Sequence, residues 1–128
     1  YNANPVSMSA AVRTLDGEPC TGRKWAVLGD MGELGPTGPG EHRRIGEILA
    51  KTGIERLVTV GPLAAEIALG AFSAGFSKSH ATVCPGLKDA AVALRDAAAG
   101  DMILLKASRA GHLEDLIDLF NKNTLKGS

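Results

Sequence analysis

The sequence predicts a three-layer α/β domain, and three observations support this fold class. Short runs of Val, Ile, Leu and Ala alternate with longer amphipathic segments along the chain. The apolar runs are nearly continuous, which is typical of strands that helices cover on both faces of a sheet. Each run is followed by glycine, proline or serine, the residues that begin loops. Because strands that alternate with helices need crossover connections, we expect a mainly parallel, Rossmann-like α/β/α sheet.

The elements are predicted in a regular order. The chain opens with a helix over residues 6–15, which the Asp16-Gly17 pair ends. Four strand–helix repeats follow. The predicted strands are 24–30, 56–61, 80–86 and 101–108, and the predicted helices are 40–53, 62–75, 87–100 and 111–122. Gly53 and Gly100 are natural C-terminal caps for the helices predicted over 40–53 and 87–100.

Composition narrows the function classes. The chain has 128 residues, enough for one domain, with 45% apolar and 22% charged residues and a formal net charge of zero. This balance predicts neither a nucleic-acid partner nor a disordered acidic tail. The apolar runs are too short to span a membrane, and the first residues do not form a signal peptide. The first residue is not Met, so we expect a piece of a longer protein.

The cysteines and histidines do not form a recognisable metal or disulfide pattern. Cys20 and Cys84 are far apart, so two reduced thiols are expected rather than a disulfide framework. The three histidines, His42, His80 and His112, lack the spacing of metal ligands. We therefore predict no zinc site.

A glycine-rich loop, LGDMGELGPTGPG, follows the first predicted strand. Its glycines Gly29, Gly32 and Gly35 occur at every third position, which matches neither a dinucleotide fingerprint nor a Walker A loop. Asp30 and Glu33 would repel a phosphate. The loop is either a solvated flexible segment or a ligand contact. As a contact, its carboxylates would favour an ammonium group or a metal ion.

A second polar cluster, LLKASRAGHLEDL, lies where the last strand gives way to the last helix. Lys106, Ser108 and Arg109 are there, and a helix N-terminus attracts anions through its free N–H groups. Arg109 can bind a carboxylate through two hydrogen bonds. The alternative is a helix that Ser108 caps, with two solvated cations beside it.

Several other polar residues have both structural and functional interpretations. Asn2 and Asn4 precede the first helix and are suited to capping or turn formation. His42 lies in the first turn of its helix, where it is either structural or a functional group that titrates near neutral pH. Trp25 and Met31 are expected to pack in the core.

Three motifs in chain order carry a family resemblance: YNANPVSM, then AVLGDMGELG with EHRRIGE, then LLKASR. Together they resemble the C-terminal domain of the Mur ligase family over essentially all of residues 1–128. Two departures stand out. The chain begins inside the first motif, and Ala107 replaces a glycine of the family's K-G-S-R pattern, so its methyl group could narrow the approach to a ligand.

The resemblance implies an ATP-dependent amide ligase of bacterial peptidoglycan precursor synthesis. Within the family, the motifs are most similar to members that add D-Ala-D-Ala to UDP-N-acetylmuramoyl-tripeptide. ATP and Mg²⁺ would be held mainly by a central domain that this chain lacks, as it lacks the N-terminal domain. The piece alone is expected to be inactive, and the enzyme to be a cytoplasmic monomer without nucleic-acid or membrane partners.

The resemblance also assigns candidate site residues, none of them catalytic. Substrate contacts are expected from seven residues: Asn2, Asn4, Asp30, His42, Lys106, Ser108 and Arg109. Lys106, Ser108 and Arg109 would bind the dipeptide carboxylate, and Asp30 and the asparagines would orient its amine. Tyr1 and Asn2 would form part of the nucleotide site. Two alternatives stay open: a stand-alone α/β module that binds a small ligand or nucleotide, and a C-terminal domain like that of folylpolyglutamate synthetase, whose H-N-P pattern differs from NANP.

Overall fold

A four-stranded parallel sheet forms the centre of the chain, in a computed structural model that describes residues 3–116. The strand order is β3-β2-β1-β4. The predicted α/β class and parallel sheet are confirmed. The strands are β1 (Lys24–Gly29), β2 (Arg56–Val60), β3 (Ala81–Cys84) and β4 (Met102–Lys106), and the helices are α1 (Pro5–Gly17), α2 (Gly38–Ala50), α3 (Ala64–Ser73) and α4 (Leu87–Ala93).

The strand order creates a switch point between β1 and β4. The chain adds β2 and β3 on one side of β1, and then crosses to place β4 on the other side. The connection that leaves β1 therefore runs toward β2, away from β4. In open α/β sheets, the crevice outside the carboxyl ends of the strands at such a point is where ligands bind.

Side chains divide between the two faces of the sheet. Ala26 and Leu28 of β1 belong to the core cluster that α1, α2 and α3 cover. Trp25 and Val27, which point the other way, belong to the cluster on the α4 face. Both Trp25 and Met31 are buried, as predicted. The strands read as apolar on both faces because helices cover both faces.

Helices α2 and α3 touch through their backbones. A Cβ on Gly46 of α2 would overlap the carbonyl oxygen of Ile67, and a Cβ on Gly70 of α3 would overlap that of Arg43. Each helix thus presents a glycine to the other helix's main chain. This contact fixes the distance between the helices more tightly than interdigitated side chains would.

Two predicted helix ends are wrong. Helix α2 ends at Ala50, and Gly53 instead donates its N–H to Asp16 Oδ1 at 2.8 Å. Helix α4 ends at Ala93 and continues as a 3₁₀ turn, Leu94–Asp96. Gly100 does not cap it, because its φ of +93° serves the turn that leads into β4. Tertiary hydrogen bonds in these segments override the local glycine signal.

The last predicted helix begins later than expected. The segment after Ser108 forms a 3₁₀ turn, Arg109–Gly111, and His112 then takes a left-handed φ of 49°. Helical residues follow at 114–116. The remainder of that predicted helix and the predicted tail lie outside the described residues.

At the amino ends of the strands, the Asp101 carboxylate gathers four donors. It accepts the backbone N–H of Arg23 at 2.8 Å and of Ala98 at 3.0 Å, and the Trp25 indole N–H at 2.9 Å. The Arg23 guanidinium lies 3.3 Å away. These bonds, foremost the Arg23 N–H, lower the pKa of Asp101 from 3.8 to about 2.

Both cysteines are unpaired thiols. Cys20 and Cys84 are both free, and burial raises the pKa of the Cys84 thiol, which keeps it protonated.

Within residues 3–116, none of the helices has the length and apolar character needed to cross a membrane.

The glycine contact between α2 and α3 predicts a steep response to one methyl group. Gly46→Ala should lower the free energy of unfolding by about 3 kcal/mol, because Ile67 and Ala71 must move to admit it. Gly40→Ala in the same helix meets nothing within 4 Å. This control should be neutral or stabilising by up to about 1 kcal/mol, given alanine's helix propensity. Urea titrations of both variants check this, and equal losses would contradict it.

The Asp101 cluster predicts an acid limb in the stability profile. Its pKa is depressed in the folded chain, so its stabilisation is complete above pH 4 and is lost as pH falls from about 4 toward about 2. Asp101→Asn should be less stable at pH 7 and show a flatter decline over that window. Asp96→Asn, whose carboxylate is 69% exposed, is the control. Thermal unfolding from pH 2 to pH 7 measures both, and parallel profiles for wild type and Asp101→Asn would contradict the assignment.

Candidate functional site

The carboxyl edge of the sheet gathers the polar residues predicted from the sequence. Asp30 follows β1, and Lys106 ends β4. Ser108 and Arg109 come directly after that strand. Asp30 and Ser108 therefore flank the switch point between β1 and β4, and they are in direct contact through their backbones.

Asp30 joins three elements at this edge. Its Oδ1 accepts the N–H of Ala64, the first residue of α3, at 2.7 Å. Its backbone carbonyl accepts the N–H of Ser108 at 2.9 Å. A carboxylate at a helix N-terminus is stabilised by the helix dipole. Gly61 makes room, because a Cβ there would lie 2.6 Å from Oδ1, and its φ of +114° also suits glycine.

Ser108 is nearly buried but does not cap a helix with its side chain. It stands before the 3₁₀ turn Arg109–Gly111, where its hydroxyl makes no capping hydrogen bond. The sequence alternative in which Ser108 serves as a helix cap is therefore not realised in the described part of the chain. Gly32 lies beside it, since a Cβ there would be 3.5 Å from the serine Cβ. That distance is an ordinary van der Waals contact, so Gly32 and Ser108 are neighbours without crowding.

Two cavities meet at Ser108. The smaller cavity, of about 230 Å³, is lined by Asp30, Ser108 and the turns after β2 and β3. The larger cavity, of about 480 Å³, is lined by Lys106, Ser108 and Arg109, with Glu114 at its side. One cavity thus carries a carboxylate, and the other carries two cations and one carboxylate. Oppositely charged groups lie on either side of one serine.

The methyl group of Ala107 points largely into the protein. A Cβ on Gly29 would lie 2.6 Å from the Ala107 Cβ, and one on Gly111 would lie 3.3 Å from it. The methyl group therefore occupies the space that these two glycines leave. Ala107 also lines the larger cavity, so part of the residue faces that space.

His42 lies inside the protein, with 0% of its surface exposed. Its Nε2 is 2.8 Å from the N–H nitrogen of Met31, and its Nδ1 is 2.6 Å from the carbonyl oxygen of Gly38. Both ring nitrogens are engaged with backbone groups. A direct substrate contact, as expected from the sequence, does not fit this position, because the ring is enclosed and has no polar atom to offer.

Asn4 caps helix α1. Its side chain accepts the N–H of Ser7 at 2.9 Å, and the Ser7 hydroxyl accepts the N–H of Asn4 at 3.1 Å. The capping interpretation is confirmed, and Asn4 lines neither cavity. Tyr1 and Asn2, the other candidates of this motif, lie outside the described residues.

The sequence did not indicate several contributors to this edge. The Ala64 amide, which holds Asp30, had no motif to mark it, whereas Glu114, which lines the larger cavity, lies within the LLKASRAGHLEDL segment. Gly86 lines the smaller cavity after β3. Only the Gly-Pro and Pro-Gly pairs after the second and third strands gave a signal. Within residues 3–116, no group of three or more His, Cys, Asp or Glu could hold a metal ion.

Comparison with known proteins identifies the family to which this chain belongs. A family profile described as "Mur ligase, glutamate ligase domain" matches residues 1–109. The UDP-N-acetylmuramoyl-tripeptide–D-alanyl-D-alanine ligase of Bacillus subtilis (strain 168) is 39% identical over 118 residues, which are 91% of this chain and 26% of that protein. The enzyme of the same name from Mycobacterium tuberculosis (strain H37Rv) is 36% identical over 146 residues, covering 100% of this chain and 29% of its own.

Solved structures of the same kind share the fold. The crystal structure of MurF ligase from Thermotoga maritima in complex with ADP superposes with a TM-score of 0.78 at 29% identity, covering 100% of this chain and 28% of that one. A MurF structure from Acinetobacter baumannii gives 0.79 at 31% identity over 94% of this chain and 27% of its own. The chain spans about a quarter of the length of these proteins. The chain belongs to the Mur ligase family, whose C-terminal, glutamate ligase domain it matches.

Proposed function

We propose that residues 1–128 are the C-terminal domain of an ATP-dependent amide ligase that adds D-Ala-D-Ala to UDP-N-acetylmuramoyl-tripeptide. The names of the similar proteins support this reaction. The observation that carries the proposal is the pair of cavities that meet at Ser108, with a carboxylate on one side and two cations on the other. That arrangement of charge suits a zwitterionic dipeptide.

The anionic end of the dipeptide is assigned to the larger cavity. Lys106 and Arg109 supply positive charge there, and the Ser108 hydroxyl supplies a hydrogen-bond donor. Glu114 lines the same cavity and opposes an anion close to it. The carboxylate of the dipeptide is therefore expected on the side of Lys106 and Arg109, away from Glu114.

The amine end is assigned to the smaller cavity, where Asp30 is the charged residue. Within the described part of the chain, only Oδ1 of Asp30 is hydrogen-bonded, to the Ala64 amide. Its second oxygen, Oδ2, is left to accept from an ammonium group. Asn4 uses its side-chain oxygen in the α1 cap and lines neither cavity, so its position does not support the expected contact with the amine. Asn2 keeps its expected substrate contact in this proposal, and Tyr1 and Asn2 keep their expected contacts with the nucleotide.

The chemistry requires orientation more than a reactive side chain from this domain. ATP supplies the phosphoryl group that activates the tripeptide carboxylate as an acyl phosphate, which the dipeptide amine attacks to give the amide and phosphate. Lys106, Ser108, Arg109 and Asp30 hold the amine in line for that attack. Closure of this domain on the others would exclude water from the acyl phosphate. Mg²⁺ and most ATP contacts are assigned to a central domain, and the enzyme to the bacterial cytoplasm as a monomer.

The carboxylate site predicts a specific kinetic defect. In the full-length enzyme that carries this domain, Arg109→Ala should raise KM for D-Ala-D-Ala by roughly 10- to 150-fold, the factor equivalent to losing one charge-assisted hydrogen bond of about 1.5–3 kcal/mol. Steady-state assays with varied dipeptide measure this. Arg95→Ala, at an exposed arginine of the turn after α4, is the matched control and should leave KM unchanged. An unchanged KM for Arg109→Ala would contradict the assignment.

Division of the substrate sites among domains predicts weak binding by this chain alone. Calorimetry should detect no micromolar affinity for ATP or for D-Ala-D-Ala, because several domains supply the contacts in the closed enzyme. The full-length enzyme with ATP, D-Ala-D-Ala and the UDP-linked tripeptide should form the amide. Micromolar ATP binding by the isolated chain would favour a stand-alone nucleotide-binding module instead.

A further inference from the structure

One peptide unit, between Asp30 and Met31, is held from both sides. Its carbonyl accepts the N–H of Ser108 at 2.9 Å, and its N–H donates to Nε2 of His42 at 2.8 Å. The described chain has no cis peptide bonds, and in a trans peptide the C=O and N–H point in opposite directions within one plane. A histidine on α2 and the backbone of Ser108 therefore fix the orientation of the same plane.

The two contacts of His42 admit one protonation state. The Gly38 carbonyl can only accept, so Nδ1, 2.6 Å away, must carry a proton. The Met31 N–H can only donate, so Nε2 must offer a lone pair. The neutral ring with hydrogen on Nδ1 satisfies both groups. A ring with its hydrogen on Nε2 would set an N–H against the Met31 N–H.

The same ring closes the loop at both of its ends. Met31 and Gly38 bound a segment that contains two left-handed residues, Glu33 at φ 62° and Gly35 at φ 57°. A glutamate in that conformation carries a backbone cost, so the surrounding structure must enforce the loop's path. His42 does so from a helix that the Gly46 and Gly70 contacts hold rigidly against α3.

We propose that His42 is a positioning residue for the dipeptide site. Its neutral, Nδ1-protonated ring sets the plane of the peptide after Asp30, and that plane in turn sets where Ser108 stands between the two cavities. The two hydrogen bonds by which His42 holds Met31 and Gly38, here called the His42 lock, are a property of this chain. The effect of this lock on dipeptide binding rests on the proposed function.

Two amide variants separate the two contacts of the ring. Glutamine at position 42 extends far enough to accept the Met31 N–H, in place of Nε2. Asparagine reaches only the Nδ1 position, so it can donate to Gly38 but leaves the buried Met31 N–H without an acceptor. Both variants remove the imidazole, but glutamine keeps the hydrogen bond from Met31 and asparagine keeps the hydrogen bond to Gly38. Glu47→Gln, at an exposed position of α2, is the matched control.

Nitrogen-15 NMR of this chain tests the lock without any substrate. The His42 ring should show a protonated Nδ1 and an unprotonated Nε2 at neutral pH. The Met31 and Ser108 amide resonances should shift together in His42→Asn, stay closer to wild type in His42→Gln, and be unmoved in Glu47→Gln. A ring protonated on Nε2, or a Ser108 amide that is indifferent to His42→Asn, overturns the proposal. If His42→Asn does not fold, the wild-type tautomer and His42→Gln still decide it.

Kinetics of the full-length enzyme test the consequence for the substrate. His42→Asn should raise KM for D-Ala-D-Ala by about tenfold or more, the scale of one unpaired buried N–H, with KM for ATP unchanged. His42→Gln should recover most of that loss. Reduced stability with an unchanged dipeptide KM overturns the positioning role. A wild-type enzyme that does not use D-Ala-D-Ala overturns the proposed function instead, while the NMR result still decides the lock.

Discussion

The carboxyl edge of the sheet depends on the hydrogen bonds that Asp30 makes to elements distant in sequence. Its side chain holds the first amide of α3, and its backbone carbonyl holds Ser108 beyond β4. One residue thus ties the end of β1 to both of its neighbours across the switch point. Because a parallel sheet has no backbone bonds beyond its strand ends, such contacts determine the shape of the crevice.

Rigidity behind this edge comes from the paired glycines of α2 and α3. Backbone contact at Gly46 and Gly70 lets the helices approach closely and leaves little freedom to slide. His42 is part of α2, so the ring that holds the Met31 amide is fixed by a helix rather than by a loop. The glycine-rich loop between β1 and α2 is therefore anchored at both ends by packed secondary structure. Gly29, where this loop leaves β1, permits close approach to Ala107, since a Cβ there would lie 2.6 Å from the Ala107 Cβ.

The two ends of the sheet serve different purposes. At the amino ends, Asp101 is nearly buried and its carboxylate is saturated with donors from Arg23, Trp25 and Ala98. At the carboxyl ends, Asp30 keeps one oxygen without a hydrogen bond in the described chain, and cavities lie beside it. Saturated polar groups stabilise a fold, whereas unsaturated ones at a cavity can bind a ligand. Asp101 is a saturated group that stabilises the fold, and Asp30 is an unsaturated group suited to ligand binding.

The sequence by itself determined the fold class, the order of the elements and the loops that hold the polar groups, because hydrophobic periodicity and turn residues are local signals. The prediction that Gly53 and Gly100 cap helices was wrong, because tertiary contacts overrode the local preference of glycine for helix ends. Only the tertiary structure decided the strand order, the burial of His42 and the partners of Asp30. The physical reason is distance along the chain: Asp30 meets Ala64 and Ser108, and no local pattern records which far residue supplies a hydrogen bond.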